Sequence, residues 1–227
     1  MISSDMKLSS RKMLSFAAVA LIIILTALSI FEFIQLHSDN QIRVACIGDS
    51  ITMSTQYPLD LWGSLGSGYI VGDFGVGGAA VSQFTNMSYL HLPALETAKM
   101  FRPNIVIFML GTNDAYTTFN ETDSAFIADY VKLVGEFQSL STKPVIWLVE
   151  PPPIYNNSIF LSDDVLIQKV IPNVQQVANQ THLKLIDAHT PLLKHSELFL
   201  DGVHPSADGA RLLADTIYKA LIHQANN

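Results

Sequence analysis

The chain reads as an α/β protein, a three-layer α/β/α sandwich around a mainly parallel five-stranded sheet. Five short apolar runs predict the strands, several of them near-continuous rather than alternating, as expected where a sheet is covered on both faces. Longer stretches with helical spacing lie between these runs. No internal repeat breaks the alternation, so the strands join one sheet through helical crossovers.

Ile42–Ile47 is the first expected strand, followed by Tyr69–Phe74, Asn104–Leu110, Val145–Val149 and Leu183–Ile186. The first expected helices are Tyr57–Leu65 and Leu92–Met100. In Ser124–Leu140, the residues Phe126, Tyr130, Val134 and Phe137 recur close to once per turn. Asp164–Gln180 carries Val165, Ile171, Val174 and Val177 on a comparable stripe, which Pro172 should interrupt because it has no amide to donate. Ala207–His223 closes the domain with Leu212, Leu213, Ile217, Tyr218 and Leu221.

Ahead of the first strand the composition changes. Lys7, Arg11 and Lys12 precede an uncharged stretch, Met13–Phe31, long enough to span roughly 28 Å as a helix. Residues 1–12 are therefore expected to be a short cytoplasmic N-terminus, 13–31 a transmembrane signal anchor or a signal peptide, and 32–41 a stalk. Ala27-Leu28-Ser29 resembles a cleavage site, but the apolar run continues past it. Either way, residues 42–227 are expected to work outside the cytoplasm, anchored or secreted. That remainder suits one domain with a single sizeable core.

A net charge of −7 offers no basic patch for nucleic acid. Cys46 is the sole cysteine, so an intrachain disulfide is excluded, and its apolar strand suits a packed thiol. His91, His182, His189 and His195 lack the tight spacing of metal ligands. Asn86, Asn120, Asn156 and Asn179 each begin an Asn-x-Ser/Thr triplet, an acceptor pattern for glycosylation in a secretory pathway. Oligomeric state has no signature here.

The chemistry concentrates in the turns that follow the strands, where ligands of such sheets bind. Gly48-Asp49-Ser50-Ile51-Thr52 follows the first strand, and Asp201-Gly202-Val203-His204-Pro205 lies near the far end of the chain. A free serine hydroxyl is a poor nucleophile, so Ser50 needs a base. His204 can take its proton and return it to a leaving alcohol, while Asp201 holds the imidazole in the useful tautomer. Asp49 is closer in sequence, yet its side chain should point away and fasten the loop. Negative charge developing on a carbonyl oxygen needs donors, and the candidates are the backbone amides of Ser50 and Gly78 with the side-chain amide of Asn113. Gly75-Val76-Gly77-Gly78 lacks the dinucleotide spacing, and no Walker lysine follows. The constellation calls for no cofactor and no metal.

These blocks resemble the SGNH hydrolase superfamily, also called the GDSL esterase/lipase family. The likeness rests on Gly48–Thr52, Asp73-Phe74-Gly75-Val76-Gly77-Gly78-Ala79, Gly111-Thr112-Asn113-Asp114 and Asp201–Pro205 in that order, and runs through residues 42 to 223. It implies a flavodoxin-like sandwich, Ser50 as nucleophile, Gly78 and Asn113 as oxyanion donors, His204 as base and Asp201 as its partner. The family usually has Asn where this chain has Asp73, which puts the bonds of the glycine turn in question.

Within the family, the glycine turn, the Gly-Thr-Asn-Asp block and Glu150-Pro151-Pro152-Pro153 look most like carbohydrate acetylesterases and sialate O-acetylesterase-like members. The expected reaction is hydrolysis of small acyl esters, acetyl foremost, on a carbohydrate, through an acyl-enzyme. A lysophospholipase or broad lipid esterase is the alternative if Tyr116, Phe119, Tyr155, Phe160 and Leu161 line an apolar pocket rather than anchoring core and loops. A glycan O-acetyltransferase would use the same acyl-enzyme, and a membrane-tethered glycan-binding domain would use none of it.

Overall fold

The computed structural model describes residues 16–32, 41–116 and 122–225. Five parallel strands form the sheet: β1 (Ile42–Gly48), β2 (Tyr69–Gly75), β3 (Ile105–Met109), β4 (Val145–Glu150) and β5 (Lys184–Asp187), in the spatial order β2-β1-β3-β4-β5. The order reverses direction between β1 and β3, and the crevice outside the carboxyl ends of those two strands is the switch point where such sheets bind ligands.

Residues 16–32 form helix α1, whose side chains are exposed. The segment expected to span a membrane begins at residue 13, and residues 13–15 lie outside the described residues. Among the described residues no helix is long and apolar enough to cross a membrane. Most of the expected stalk, 33–40, also lies outside them. The chain divides into two units between Gln41 and Ile42.

In the larger unit the helices are α2 (Ser50–Ser54), α3 (Tyr57–Leu65), α4 (Pro93–Met100), α5 (Asp123–Gln138), α6 (Asp163–Val165), α7 (Ile171–Thr181) and α8 (Ala207–Ala225). Strand residues point alternately to opposite faces, which sorts the core into two layers. Ala45, Ile47, Val106, Phe108, Ile146 and Leu148 pack with buried side chains of α4, α5 and α7. Val44, Cys46, Ile107, Met109, Trp147, Val149 and Ile186 pack with α3 and α8. Both faces are covered, which is why the strands read as continuous apolar runs. Phe126, Tyr130, Val134 and Phe137 all face the first layer, where Phe108 meets Tyr130 and Phe137 edge-on at ring separations of 6.2 and 5.3 Å.

The break expected at Pro172 takes the form of a wider turn. Between α6 and α7 the chain makes a π-helical turn, Leu166–Val170, in which the Ile171 amide reaches back to the Leu166 carbonyl, and Pro172, which has no amide to donate, follows in the first turn of α7. The five-residue α2 was not expected. It is too short to show a periodicity, and it exists because Asp49 caps it.

Candidate active site

Ser50 opens α2 directly beyond β1, in a turn with almost no free space. A Cβ at Gly48 would lie 1.9 Å from Thr52 Oγ1, and one at Gly75 would lie 2.3 Å from the Met53 amide nitrogen. Only glycine lets the ends of β1 and β2 close on this turn. Asp49 is buried, and its Oδ1 accepts the Ile51 amide at 2.9 Å. Burial pushes its carboxyl up to about 6 against the pull of that amide. Asp49 therefore fastens the turn.

The glycine turn after β2 is tied to the same place. Val76 donates its amide to the Gly48 carbonyl at 3.1 Å, and Ala79 donates to Val76 at 3.0 Å. Gly78 has φ +77°, the left-handed value a type II turn demands at its third residue. Asp73 Oδ1 accepts the Gly75 amide at 2.8 Å. An asparagine oxygen would accept the same bond, so the departure at Asp73 leaves the turn intact.

The third block joins this turn from β3. The Asn113 side-chain amide donates one hydrogen to the Ala79 carbonyl at 2.9 Å, fixing the orientation of an NH₂ group that carries a second donor. Asp114 is buried, and its two oxygens accept the amides of Val81 and Ser82 at 3.0 and 2.9 Å. Burial pushes its carboxyl up to about 6, although those amides pull the other way. Ser50, Gly78 and Asn113 thus sit on three strand ends bound to one another.

His204 arrives from the far end of the chain. Phe199 and Pro205 pair across a tight loop, and the Asp201 carboxylate shapes its interior, with Oδ1 accepting the amides of Val203 and His204 at 2.9 and 2.7 Å. His204 Nδ1–H donates to Asp201 Oδ2 at 2.6 Å, and the Ser50 hydroxyl donates to His204 Nε2 at 2.8 Å. Burial works to raise the Asp201 carboxyl, but the His204 amide and ring and the Val203 amide overcome it and bring it down to about 2. Asp201 is therefore an anion at neutral pH, which selects the tautomer with the proton on Nδ1 and leaves Nε2 as acceptor.

A sequence profile of the GDSL-like Lipase/Acylhydrolase family matches residues 46–212. The chain belongs to this family. It is 31% identical over 209 residues to an acetylxylan esterase of Xylanibacter ruminicola, a match covering 81% of this chain and 44% of that protein. The chain thus spans less than half of that relative's length. Among solved structures, Est24, a carbohydrate acetylesterase from Sinorhizobium meliloti, matches with a TM-score of 0.65 at 20% identity, over 81% of this chain and 100% of the other. The M. smegmatis aryl esterase matches at 0.66 and 18%, over 80% and 99%. These neighbours share the GDSL-like fold, a parallel sheet flanked by helices.

Against this GDSL-like frame, Asp114 carries a role that its motif did not assign, while the expected pocket residues divide between anchoring and exposure. Asp114 clamps the segment beyond the glycine turn, and Tyr155, expected as a pocket wall or an anchor, donates its hydroxyl to the Leu192 carbonyl at 2.7 Å. Tyr116 and Phe160 are exposed, with rings 6.4 Å apart. Leu161 is buried and pairs with Tyr116, and Phe119 lies outside the described residues. Cys46 is buried and its thiol is pushed up by burial, as suits packing. Among the described residues no group of three His, Cys, Asp or Glu side chains is arranged to hold a metal.

Proposed function

We propose that this chain is a serine-dependent carboxylic ester hydrolase that removes small acyl groups, acetyl foremost, from carbohydrate esters. The observation that carries the reading is the unbroken relay from the Ser50 hydroxyl through His204 to Asp201, at 2.8 and 2.6 Å. The carbohydrate substrate is supported by the acetylxylan esterase relative.

Ser50 Oγ attacks the ester carbonyl carbon as its proton passes to His204 Nε2. The carbonyl electron pair moves onto oxygen, where the amides of Ser50 and Gly78 and the free Asn113 N–H receive it. When the tetrahedral intermediate collapses, the C–O bond to the alcohol breaks and the alcohol leaves with the proton from His204. Water then gives a proton to Nε2 and attacks the acyl-serine, releasing the carboxylic acid and restoring Ser50. Asp201 stays ionised throughout and stabilises the imidazolium.

The exposed Tyr116–Phe160 pair favours a second reading, an esterase for longer or more apolar esters. A sugar hydroxyl replacing water would make the same acyl-enzyme a transferase. Hydrolysis of p-nitrophenyl esters from C2 to C12 and of acetylated xylo-oligosaccharides by the 42–227 domain and its S50A variant separates these readings. S50A-sensitive release concentrated at C2 and acetyl-sugar is the expected result. A maximum at C8 or beyond would replace it with the lipid reading, and acetyl transfer to an added glycan would point to the transferase.

The site of action is proposed to be outside the cytoplasm, because Lys7, Arg11 and Lys12 precede the uncharged Met13–Phe31 stretch. Expression of the full chain with a C-terminal reporter active only after export tests this, and a reporter active only in the cytoplasm would reverse it.

A further inference from the structure

The bonds within Asp201–His204 give that loop its shape, but they do not decide where it stands relative to Ser50. That position is fixed from outside, by the segment following β4. Tyr155 donates its amide to the Gly202 carbonyl at 2.7 Å, and its ring packs on Phe199 with centroids 5.0 Å apart. Its hydroxyl reaches the Leu192 carbonyl at 2.7 Å, so the side chain braces the start of the loop at Phe199 against the Thr190–Leu192 turn while the backbone amide holds Gly202. The fit beside it is close. Gly202 has φ +83°, and a Cβ there would lie 2.2 Å from the Asn156 carbonyl oxygen.

The segment is itself secured. Asp163 Oδ1 accepts the Ile154 amide at 2.8 Å and lies 3.3 Å from Nε2 of the buried His189. The Asn157 side chain donates to the carbonyls of Tyr155 and Leu161, each at 2.9 Å, and accepts the amides of Ile159 and Leu161 at 3.1 and 3.3 Å. An otherwise irregular loop is thereby made rigid on the side that touches Gly202.

We propose that Tyr155, secured by Asp163, is a positioning residue that sets His204 against Ser50. The inference rests on the reading of Ser50 and His204 as a catalytic pair. It predicts an effect on turnover rather than on substrate affinity, since a displacement near 1 Å at a reacting pair lowers the rate by about 100-fold.

The test compares wild type, Y155A, Y155F and S50A in kinetics on p-nitrophenyl acetate and in the low-field proton NMR signal of His204 Nδ1–H, assigned by its loss in D201N. Y155A is expected to lower kcat by about 10- to 100-fold with KM within about twofold, and to shift or broaden the proton signal. Y155F, which loses only the hydroxyl and its bonds to the backbone of Leu192 and His195, is expected to retain most of the activity. Should Y155A not fold, Y155L keeps the apolar volume and is judged by the same criteria. A folded variant with kcat and the proton signal both unchanged overturns the proposal, as does a rise in KM alone, which would mean contact with substrate. If wild type shows no S50A-sensitive turnover while Y155A still displaces the proton signal, the esterase reading fails and the positioning role stands.

Discussion

The Ser50 half of the proposed site and the His204 half are held by different physics. Ser50, Gly78 and Asn113 stand two, three and four residues beyond strand ends and are locked by steric closeness, with Gly48 and Gly75 admitting no side chain. Their support is buried, including the carboxylates of Asp49 and Asp114. His204 and Asp201 stand on a loop well beyond β5, half-buried and exposed respectively, and are held by hydrogen bonds to other loops. Disturbing the first half should therefore harm the fold, while disturbing the second should harm the chemistry and leave the fold standing.

The largest expected effect is on the His204 half. In D201N the Asn oxygen can still accept the amides of Val203 and His204, but its NH₂ faces His204 Nδ1 and favours the wrong tautomer. A loss in kcat on the order of 10⁴, with Tm nearly unchanged, is expected from steady-state kinetics and thermal melts. A parallel fall in Tm would erase the contrast between the halves. On the Ser50 half, G75A forces a methyl against the Met53 amide, and denaturant unfolding should show about 3 kcal/mol of destabilisation.

A subtler difference concerns pH. Asp49 and Asp114 are both raised to about 6 by burial, so the folded state retains protons that the unfolded chain has lost. Stability from these groups is fully present below their unfolded value near 3.8 and falls as pH rises through about 6, by up to about 3 kcal/mol for each. D49N keeps the oxygen that caps Ile51 and cannot ionise, so it should flatten the slope between about pH 4 and 6 while the Asp114 share remains. Unfolding curves across that range measure it, and a slope equal to wild type would show that Asp49 ionises without penalty. Asp201 runs the other way. Its carboxyl is brought down to about 2, so its contribution is lost only as pH falls from about 4 toward 2. The smallest effect is expected for D73N, within about 0.5 kcal/mol, because either residue accepts the Gly75 amide.

Much of this contrast was legible in the residues themselves. The Ser50 turn follows an apolar run within a few positions, so its chemistry is local, and the strand boundaries fell within one residue because burial on both faces writes an apolar stretch. The pairing of Ser50 with His204 was inferred from residue type across 154 positions, and the distance between them was not in the pattern. Asp114 was legible as part of the Gly-Thr-Asn-Asp block and Tyr155 as a pocket wall or an anchor, but which amides the one clamps and which loop the other holds depend on partners far away in the chain.

The sequence alone determined the layered α/β class, the position of the turns at strand ends and the residue types able to activate a serine, because periodicity and turn chemistry act over a few neighbouring residues. Only the tertiary structure decided the strand order, the π turn before Pro172, the bonds that bind three strand ends into one site and the hold of Tyr155 on the His204 loop. Those depend on contacts between segments far apart in the chain, where position is settled by what packs alongside.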